Sequence, residues 1–320
     1  MSDAGALPND PPESPAKLPR SAWWATVKRT VTEFDNDGLM DWAAALTYYS
    51  VLSVFPGLIL LASVLGLIGG SAIDPLIDSL GQVAPGPVRE ILENSLTTIG
   101  QSQETAGSLA IVGLAGALWS ASGYVGAFMR ASNAIYEVPE GRPIWKTLPI
   151  RLAVTVVVGI VLAASALIVV FTGEAAEWLG RLIGLGSAAV TAWSIVKWPV
   201  LLVLIGFLFD LLYWAAPNAK QAGVRWISPG GVLAVVLWIA ASVGFGVYAA
   251  HFGSYNKTYG TLGGVAIFLV WLWISNIAIL LGAELDAELE RGRAIAAGHD
   301  PSEEPFLELR DDRKIKKDTA

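Results

Sequence analysis

The sequence predicts an all-α, polytopic membrane protein that crosses the lipid bilayer six times and keeps both ends in the cytoplasm. Of the 320 residues, 54% are hydrophobic and only 15% are charged, and the mean hydropathy is positive. This apolar share is larger than that of an ordinary globular domain. Two further observations predict the class: six separate apolar stretches, and an uneven distribution of Lys and Arg between the segments that connect them.

The six apolar stretches are each close to the roughly 20 residues that a helix needs to cross the hydrocarbon core. They are predicted to be helices because a chain exposed to lipid must satisfy its own backbone hydrogen bonds, and because they lack the alternation of a barrel strand. Their approximate bounds are residues 43–69, 108–129, 152–172, 193–214, 230–250 and 262–283.

The orientation follows from the enrichment of Lys and Arg in cytoplasmic connections. Of the 21 Lys and Arg residues, the connections on one side hold only Arg89, Arg181 and Lys257, and Lys197 lies at the edge of a span. The others lie in the two terminal segments and in the second and fourth connections. Both termini are therefore predicted to be cytoplasmic.

Three regions follow from the composition along the chain. Residues 1–20 are rich in Pro and acidic residues and lack an apolar signal segment, which predicts a disordered tail. Residues 21–290 form the transmembrane domain, which begins with an amphipathic helix on the membrane surface, and patterns at 88–99 and 178–183 predict two further interfacial helices. Residues 291–320 are predicted to be a charged, disordered tail.

Several classes of protein are excluded by the composition. The chain has no cysteine and only two histidines, too few for a thiolate or histidine metal site. A net charge of -7 argues against a nucleic-acid surface. The sequence contains no GxSxG, HExxH or phosphate-loop motif. We therefore expect no enzyme activity, no metal or other cofactor and no nucleic-acid partner.

Four separated motifs carry a resemblance to a known family. They are AALTYYSVLSVFPGLILL from Ala44, the pair Pro217 and Asn218, SPGGVLAVVLWIAA from Ser228, and YNKTYGTLGGVAIFLVWLWISNIAILLGAE from Tyr255. In this order they closely resemble the YihY/BrkB family of bacterial inner-membrane proteins, also designated UPF0761. The resemblance covers approximately residues 30–290.

The resemblance implies six spans in the cytoplasmic (inner) membrane of a bacterium. It also implies a link to envelope integrity and serum resistance, through a proposed export of lipids or solutes. The family once carried the label ribonuclease BN, which this sequence does not support, because it shows neither a basic groove nor a set of metal ligands.

Ionisable groups in or near the spans are functional candidates, because they are costly in lipid. Asp41, Arg130, Asp210 and Glu284, with Asp286 beside the last, all fall toward the predicted cytoplasmic side. This placement predicts an inner gate in which carboxylates pair with Arg130 and bind a proton or a cation. The alternative is that these side chains lie in the interface and reach water by snorkelling.

The connection before the sixth span is rich in Tyr, Asn, Thr and Gly. Tyr255, Asn256 and Tyr259 are predicted to line the outer mouth of a pathway, where Lys257 would attract anions. The alternative is that the two tyrosines only anchor the chain in the membrane interface.

Residues that bend a helix or allow close packing form another candidate group. Pro56 removes a backbone hydrogen bond inside the first span, so it predicts either a static kink used for packing or a hinge that exposes a carbonyl group. Gly260, Gly263 and Gly264 permit close backbone approach in the sixth span. The two interpretations of these glycines are that they allow the helix to bend, or that they only allow neighbouring helices to pack closely.

Four uncharged polar residues complete the candidate pathway. Tyr48 and Tyr49 lie two turns before Pro56 and can offer hydroxyl groups to its free carbonyl. Asn133 and Asn276 add amide groups near the second span and in the sixth. Asn276 is interpreted either as a bond to a neighbouring helix or as a substrate ligand.

Together these residues lead to the hypothesis of a transporter or flippase-like carrier. It would move a lipid, an amphiphile or a small solute by alternating exposure of a central cavity, with membrane lipids as its partners and a homo-oligomer left open. The main alternative is a non-transporting structural or assembly factor of the cell envelope. An intramembrane enzyme acting on lipid is the weakest hypothesis, for want of catalytic groups.

Overall fold

The structure, a computed structural model, describes residues 20–68, 103–170, 187–221, 228–251 and 256–318. These residues form eight helices and no β-strand, and an isolated bridge pairs Ala219 with Leu309. The all-α class is thus confirmed for the described chain. The helices are α1 (Arg20–Asn36), α2 (Leu39–Ile68), α3 (Gln103–Ile135), α4 (Ile144–Val170), α5 (Ser187–Ala215), α6 (Pro229–His251), α7 (Asn256–Ala296) and α8 (Arg313–Asp318).

The long helices α2 to α7 occupy the six predicted spans in order. Within the described residues, four helices are long and apolar enough to cross a membrane, over Ile144–Ser165, Thr191–Ala215, Pro229–Tyr248 and Gly264–Ala296. The other two predicted spans lie in α2 and α3. Helix α7 has 41 residues, about twice the length that a span needs, so it extends beyond the predicted span.

Helices α2 to α7 pack in chain order around a closed ring. Each helix contacts the next one, and α7 closes the ring by packing against both α6 and α2. Because consecutive helices run in opposite directions, the starts of α2, α4 and α6 meet the ends of α3, α5 and α7. We call this the closed end of the ring.

The buried core lies at the closed end. Leu46, Phe128 and Leu280 are fully buried there. Phe128 stacks between Tyr124 of α3 and Tyr213 of α5, with ring centroids 6.4 and 6.2 Å apart. Farther from this end, the described parts of the helices expose large apolar side chains, among them Trp198, Val203 and Val243. Exposure of such side chains is typical of a surface that faces lipid.

Pro56 lies inside α2, where its missing N–H frees the carbonyl group of Leu52 four residues earlier. The hydroxyl group of Ser120 on α3 donates a hydrogen bond to this carbonyl oxygen at 2.8 Å. A neighbouring helix therefore satisfies the carbonyl, which supports the packing interpretation of the proline.

Asn276 joins three helices of the ring. Its side-chain oxygen accepts a hydrogen bond from the Tyr124 hydroxyl at 3.0 Å, and its amide nitrogen donates to the Thr47 hydroxyl at 3.1 Å. Only 3% of Asn276 is exposed. These bonds favour the helix-joining interpretation of Asn276 over a substrate ligand.

Two glycines allow α6 to approach α7. A Cβ atom on Gly282 would lie 2.5 Å from the carbonyl oxygen of Gly230 and 2.6 Å from the Tyr213 hydroxyl. A Cβ atom on Gly230 would in turn overlap the carbonyl oxygen of Gly282. Backbone atoms cannot move aside as the end of a flexible side chain can, so this crossing requires glycine on both helices.

The helix predicted from Ser21 is present as α1, and one side of it packs against α7. Trp23 of α1 lies against Leu285 and Leu289, whereas Trp24 and Val31 are exposed. The exposed apolar side is consistent with a position at the membrane surface. The predicted tail over residues 1–19 and the interfacial helices at 88–99 and 178–183 lie outside the described residues.

The C-terminal segment, residues 297–318, packs across the closed end. Phe306 is only 5% exposed and stacks on Tyr136, and the backbone of Arg310 donates a hydrogen bond to the carbonyl oxygen of Asn218 at 2.8 Å. This differs from the disordered tail predicted for residues 291–320. The prediction rested on the charged composition of these residues and overlooked their few apolar side chains. One of these, Phe306, is buried and attaches the segment to the rest of the bundle.

We expect the Gly230→Ala variant to have a markedly lower thermal stability than the wild type, because overpacking of a tight contact costs about 1–3 kcal/mol. Gly244→Ala is the matched control on the same helix, since a Cβ atom there meets nothing within 4 Å, and its melting temperature should be unchanged or higher. Melting temperatures of the purified proteins in one detergent test this. Equal values for the two variants would show that α6 and α7 are not in close contact.

Candidate functional site

Polar side chains at the closed end form three groups: one at the start of α6, one that ties the loops together, and one between α1 and α7. All five ionisable residues predicted near the spans lie at this end, because they belong to the start of α2, the ends of α3 and α5, and the last turns of α7.

The start of α6 is capped by Ser228 and by two carboxylates. The hydroxyl oxygen of Ser228 accepts a hydrogen bond from the backbone N–H of Gly231 at 2.8 Å and donates to Asp210 Oδ1 at 2.6 Å. Asp286 Oδ1 accepts from the backbone N–H of Gly230 at 2.7 Å. The positive end of the helix dipole favours both negative charges. Asp210 therefore has a structural role at the start of α6, and its role in an inner gate stays a prediction.

A small cavity lies beside this cap. Its volume is ≈ 40 Å³, room for one or two water molecules. Its lining residues are Tyr136, Asp210, Tyr213, Trp214, Gln221, Ser228, Asp286, Leu289 and Glu290.

The second group ties the two loops of the closed end to the C-terminal segment. Asn133 accepts a hydrogen bond from the backbone N–H of Asn218 at 2.8 Å, and the Asn218 side chain donates to the carbonyl oxygen of Asp311 at 2.8 Å. Lys146 donates to the Asp311 carboxylate at 2.7 Å. Hydrogen bonds from Arg313 and Lys146 hold the pKa of Asp311 well below its usual range. This carboxylate therefore stays ionised, and it anchors the segment.

Glu140 strengthens the same group. Burial by itself would raise the pKa of Glu140. Hydrogen bonds from Arg142 at 2.7 and 2.8 Å, the positive charge of Arg142 and a hydrogen bond from Asn133 oppose this effect, and the pKa is lowered overall. Arg142 also donates to the carbonyl oxygen of Ala216 at 2.7 Å. This chain of bonds joins the loop after α3 to the loop after α5.

The third group, which we call the acidic cluster, consists of Glu33, Asp37, Glu137, Glu284 and Glu288 with the two cations Arg29 and Arg291. Glu288 forms salt bridges with Arg29 of α1 and, at 3.4 Å, with Arg291. Arg291 also pairs with Glu137 at 3.5 Å and with Glu304. Five carboxyl groups thus surround two guanidinium groups, so the acidic cluster carries an excess of negative charge.

Glu284 is the innermost member of the acidic cluster. None of its surface is exposed, and neither of its side-chain oxygens has a hydrogen-bond partner among the described residues. An ionised carboxylate without a donor or a cation is strongly disfavoured in such surroundings.

Asp37 lies at the turn between α1 and α2 and is partly buried. Burial, together with the negative charges of Glu137, Glu33 and Glu288, raises its pKa to about 7, against the opposing effect of Arg291. The pKa of Glu137 is raised in the same way, first by burial and then by the charge of Glu304. The acidic cluster therefore contains a group that titrates near neutral pH.

The predicted inner gate is only partly assembled. Arg130 is exposed, and its guanidinium donates to the carbonyl oxygen of Gly126 one turn earlier on its own helix, at 3.1 Å. Within the described residues it forms no salt bridge with Asp210 or Glu284, so the predicted pairing of Arg130 with these carboxylates is wrong. Asp41 is exposed, as the snorkelling alternative expects.

The two tyrosines of α2 differ in their surroundings. Tyr48 is 61% exposed, whereas Tyr49 packs against the core beside Gly123. On the opposite side, Tyr255 lies outside the described residues. Asn256, Tyr259, Gly260, Gly263 and Gly264 fall in the first turns of α7, where the structure describes only the surroundings of Gly264, which is partly buried.

Of the acidic cluster, sequence analysis proposed only Glu284 and missed Glu33, Asp37, Glu137, Glu288 and the two arginines. A signal for part of it was present, since residues 284, 288 and 291 recur at i, i+4 and i+7 and therefore share one face of a helix. Because residues 291–320 were predicted to be a tail, Arg291 was separated from the helix that carries Glu284 and Glu288, and the pattern was not recognised. The described residues contain no group of three or more His, Asp or Glu side chains that could hold a metal ion.

We expect Asp37→Asn to remove a pH dependence of stability. Between about pH 4 and pH 7 the folded chain keeps a proton on Asp37 that the unfolded chain loses, so the free energy of unfolding falls as the pH rises through this window. At about pH 8 the variant should be more stable than the wild type by roughly 1–2 kcal/mol, allowing for solvent screening, with little difference at about pH 4. Melting temperatures across this range measure the effect. The exposed Asp35→Asn is the control, and a parallel pH profile of Asp37→Asn and wild type would contradict the expectation.

Comparison with known proteins places the chain among membrane proteins. A family model described as virulence factor BrkB matches residues 30–306. The ribonuclease-like protein YfkH of Bacillus subtilis (strain 168) is 30% identical over 264 residues, which is 82% of this chain and 93% of that protein. A UPF0761 membrane protein of Alkalilimnicola ehrlichii is 31% identical over 287 residues, 83% of this chain and 60% of that protein.

A second UPF0761 membrane protein, azo3165 of Azoarcus sp. (strain BH72), is 30% identical over 270 residues, 80% of this chain and 62% of that protein. The chain thus spans less than two thirds of the length of these two UPF0761 relatives. No solved structure matches it. Because the family model covers most of the sequence and the described chain is a bundle of apolar helices, the chain belongs to the virulence factor BrkB family of membrane proteins.

Proposed function

We propose that the chain is a transporter or flippase-like carrier of the bacterial inner membrane that moves a lipid, an amphiphile or a small solute and supports the cell envelope. In this proposal all six long helices cross the membrane and both termini are cytoplasmic. The observation that carries it is Glu284, a carboxyl group buried inside a helix bundle without a hydrogen-bond partner among the described residues. Such groups in membrane proteins mark ion pathways and proton relays.

The helices are arranged in a ring, but α3 also packs across it against α5 and α7. A pathway through the ring would therefore require these helices to separate. The core, the described parts of the loops and the C-terminal segment pack together at the closed end. In this proposal the structure represents a state in which the cytoplasmic side is shut. Alternating access would require the helix ends to separate there.

We propose no enzyme activity. YfkH is named ribonuclease-like, but that name describes YfkH. The carboxylates described above cap a helix, bind cations, lie exposed or lie buried without a partner among the described residues. The Ser228 hydroxyl group that donates to Asp210 also accepts from the backbone N–H of Gly231, which is a capping arrangement and not that of a catalytic pair.

The alternative function, a non-transporting structural or assembly factor of the envelope, is favoured by a different observation. Asp210, Asn133 and Asn276, which sequence analysis proposed for the pathway, all bond to neighbouring helices or loops. In this alternative the polar groups only hold the helices together. The two functions differ in whether purified protein moves anything across a membrane.

The orientation is tested with single cysteines, because the natural chain contains none. Lys28→Cys on α1 and Ser302→Cys in the C-terminal segment are at exposed positions. We expect a membrane-impermeant maleimide to label both in inside-out vesicles only, and to label Lys257→Cys in right-side-out vesicles only. Labelling of Ser302→Cys from the outside would refute the orientation.

The transport proposal is tested with purified protein in liposomes, using a fluorescent phospholipid for lipid scrambling and an internal pH dye for proton flux. We expect wild-type activity in at least one assay, and a fall to the level of protein-free liposomes for Glu284→Gln. Glu303→Gln is the matched control, since Glu303 is exposed, and it should behave as wild type. Folded wild-type protein that is inactive in both assays would favour the structural alternative.

A further inference from the structure

The contacts of Glu284 among the described residues do not assign it a structural role. Asp210 and Asp286 cap α6 and Glu288 binds two arginines, but Glu284 is fully buried and its two oxygens have no partner among the described residues. A carboxyl group that only filled space would be replaced at no cost by an apolar side chain. Its presence inside the acidic cluster points to a ligand that the carboxyl group takes up.

The charged groups of the acidic cluster, together with Glu304, come from α1, the turn after it, the loop after α3, α7 itself and the C-terminal segment. They are Arg29 and Glu33 of α1, Asp37 at the turn, Glu137 after α3, Glu288 and Arg291 of α7, and Glu304 of the C-terminal segment. Asp37 exerts the largest electrostatic effect on Glu284, followed by Glu288, Glu33 and Glu137. All four of these groups are acidic.

The two arginines are already engaged by other carboxylates. Arg29 binds Glu288, and Arg291 binds Glu288, Glu137 and Glu304. Within the described residues the carboxylates are not arranged to hold a metal ion. A proton is the ligand that fits, because a neutral carboxylic acid needs neither a counter-ion nor a full set of donors.

We propose that the acidic cluster is a proton-binding site in which Glu284 carries the proton and Asp37 exchanges it with water at the closed end. Asp37 suits the exchange role, because it lies at a partly buried turn and exerts the largest electrostatic effect on Glu284 among the charged groups. Its pKa of about 7 lets it take up and release protons near neutral pH.

The position of the acidic cluster connects proton binding to the closed end. Its two arginines hold α1 and the C-terminal segment against α7 through Glu288 and Glu304. Loss of the proton from Glu284 would add a further negative charge beside these contacts, and the repulsion would weaken the attachment of both elements. This coupling to opening rests on the proposed transport function, whereas the proton-binding site does not.

Infrared spectroscopy of the full-length protein in lipid vesicles tests the site directly. The wild type should show the carbonyl stretch of a protonated carboxylic acid at neutral pH, and this band should vanish on titration to alkaline pH. We expect the band to be weaker in Glu284→Gln, where Asp37 still contributes near its pKa of about 7, and unchanged in Glu303→Gln. An undiminished band in Glu284→Gln would overturn the proposal, as would its loss at constant pH on addition of Na⁺ or Mg²⁺, which would indicate a cation site.

Asp37→Asn provides a second test that does not require Glu284 to be replaced. Removal of a negative charge beside Glu284 should move the titration of the band to lower pH by roughly one unit. An unmoved titration would overturn the pairing of the two groups. Proton binding without flux in liposomes would count against the transport function alone, and transport without the band would count against the site alone.

Discussion

The contact between α6 and α7 at Gly230 and Gly282 determines how the closed end is assembled. Because neither residue has a Cβ atom, the two backbones meet directly, and the start of α6 comes within reach of Asp286 on α7. The same approach brings the Tyr213 hydroxyl to the carbonyl oxygen of Ile279 at 2.6 Å. One steric constraint thus produces the cap, the small cavity and the attachment of α5. A bulkier residue at either glycine would separate all three.

Helix α7 is the element that organises the rest of the molecule. One part of it, around Asn276 and Leu280, closes the ring against α2 and α3 and is buried in the core. The turns that follow carry the acidic cluster and contact α1. Helix α7 is longer than a single span, so one continuous helix connects the packed interior to the groups at the closed end. Any charge change at Glu284 or Glu288 acts on an element that touches four others of the ring and α1.

Much of the fold could be predicted from local sequence, and the candidate site could be predicted only in part. The apolar stretches depend on a few neighbouring residues, so the positions of the helices follow from them. The close approach at Gly230 and Gly282 was not predicted, because it depends on which helices become neighbours. Arg130 and Asp37 show the limit. Which carboxylate an arginine meets depends on how α3 rotates in the ring, and the importance of Asp37 depends on a turn that brings it to a helix far along the chain. Phe306 escaped notice because a single aromatic residue among charged ones gives no periodic pattern.

The salt bridge between Arg29 and Glu288 joins residues 259 positions apart, and it has a consequence for biosynthesis. Helix α1 is synthesised long before α7, which carries most of its docking surface. Of the helices α2 and α7, only α2 is available for α1 to pack against until α7 has been made. The closed end can therefore be completed only after the whole of α7 and the C-terminal segment have left the ribosome.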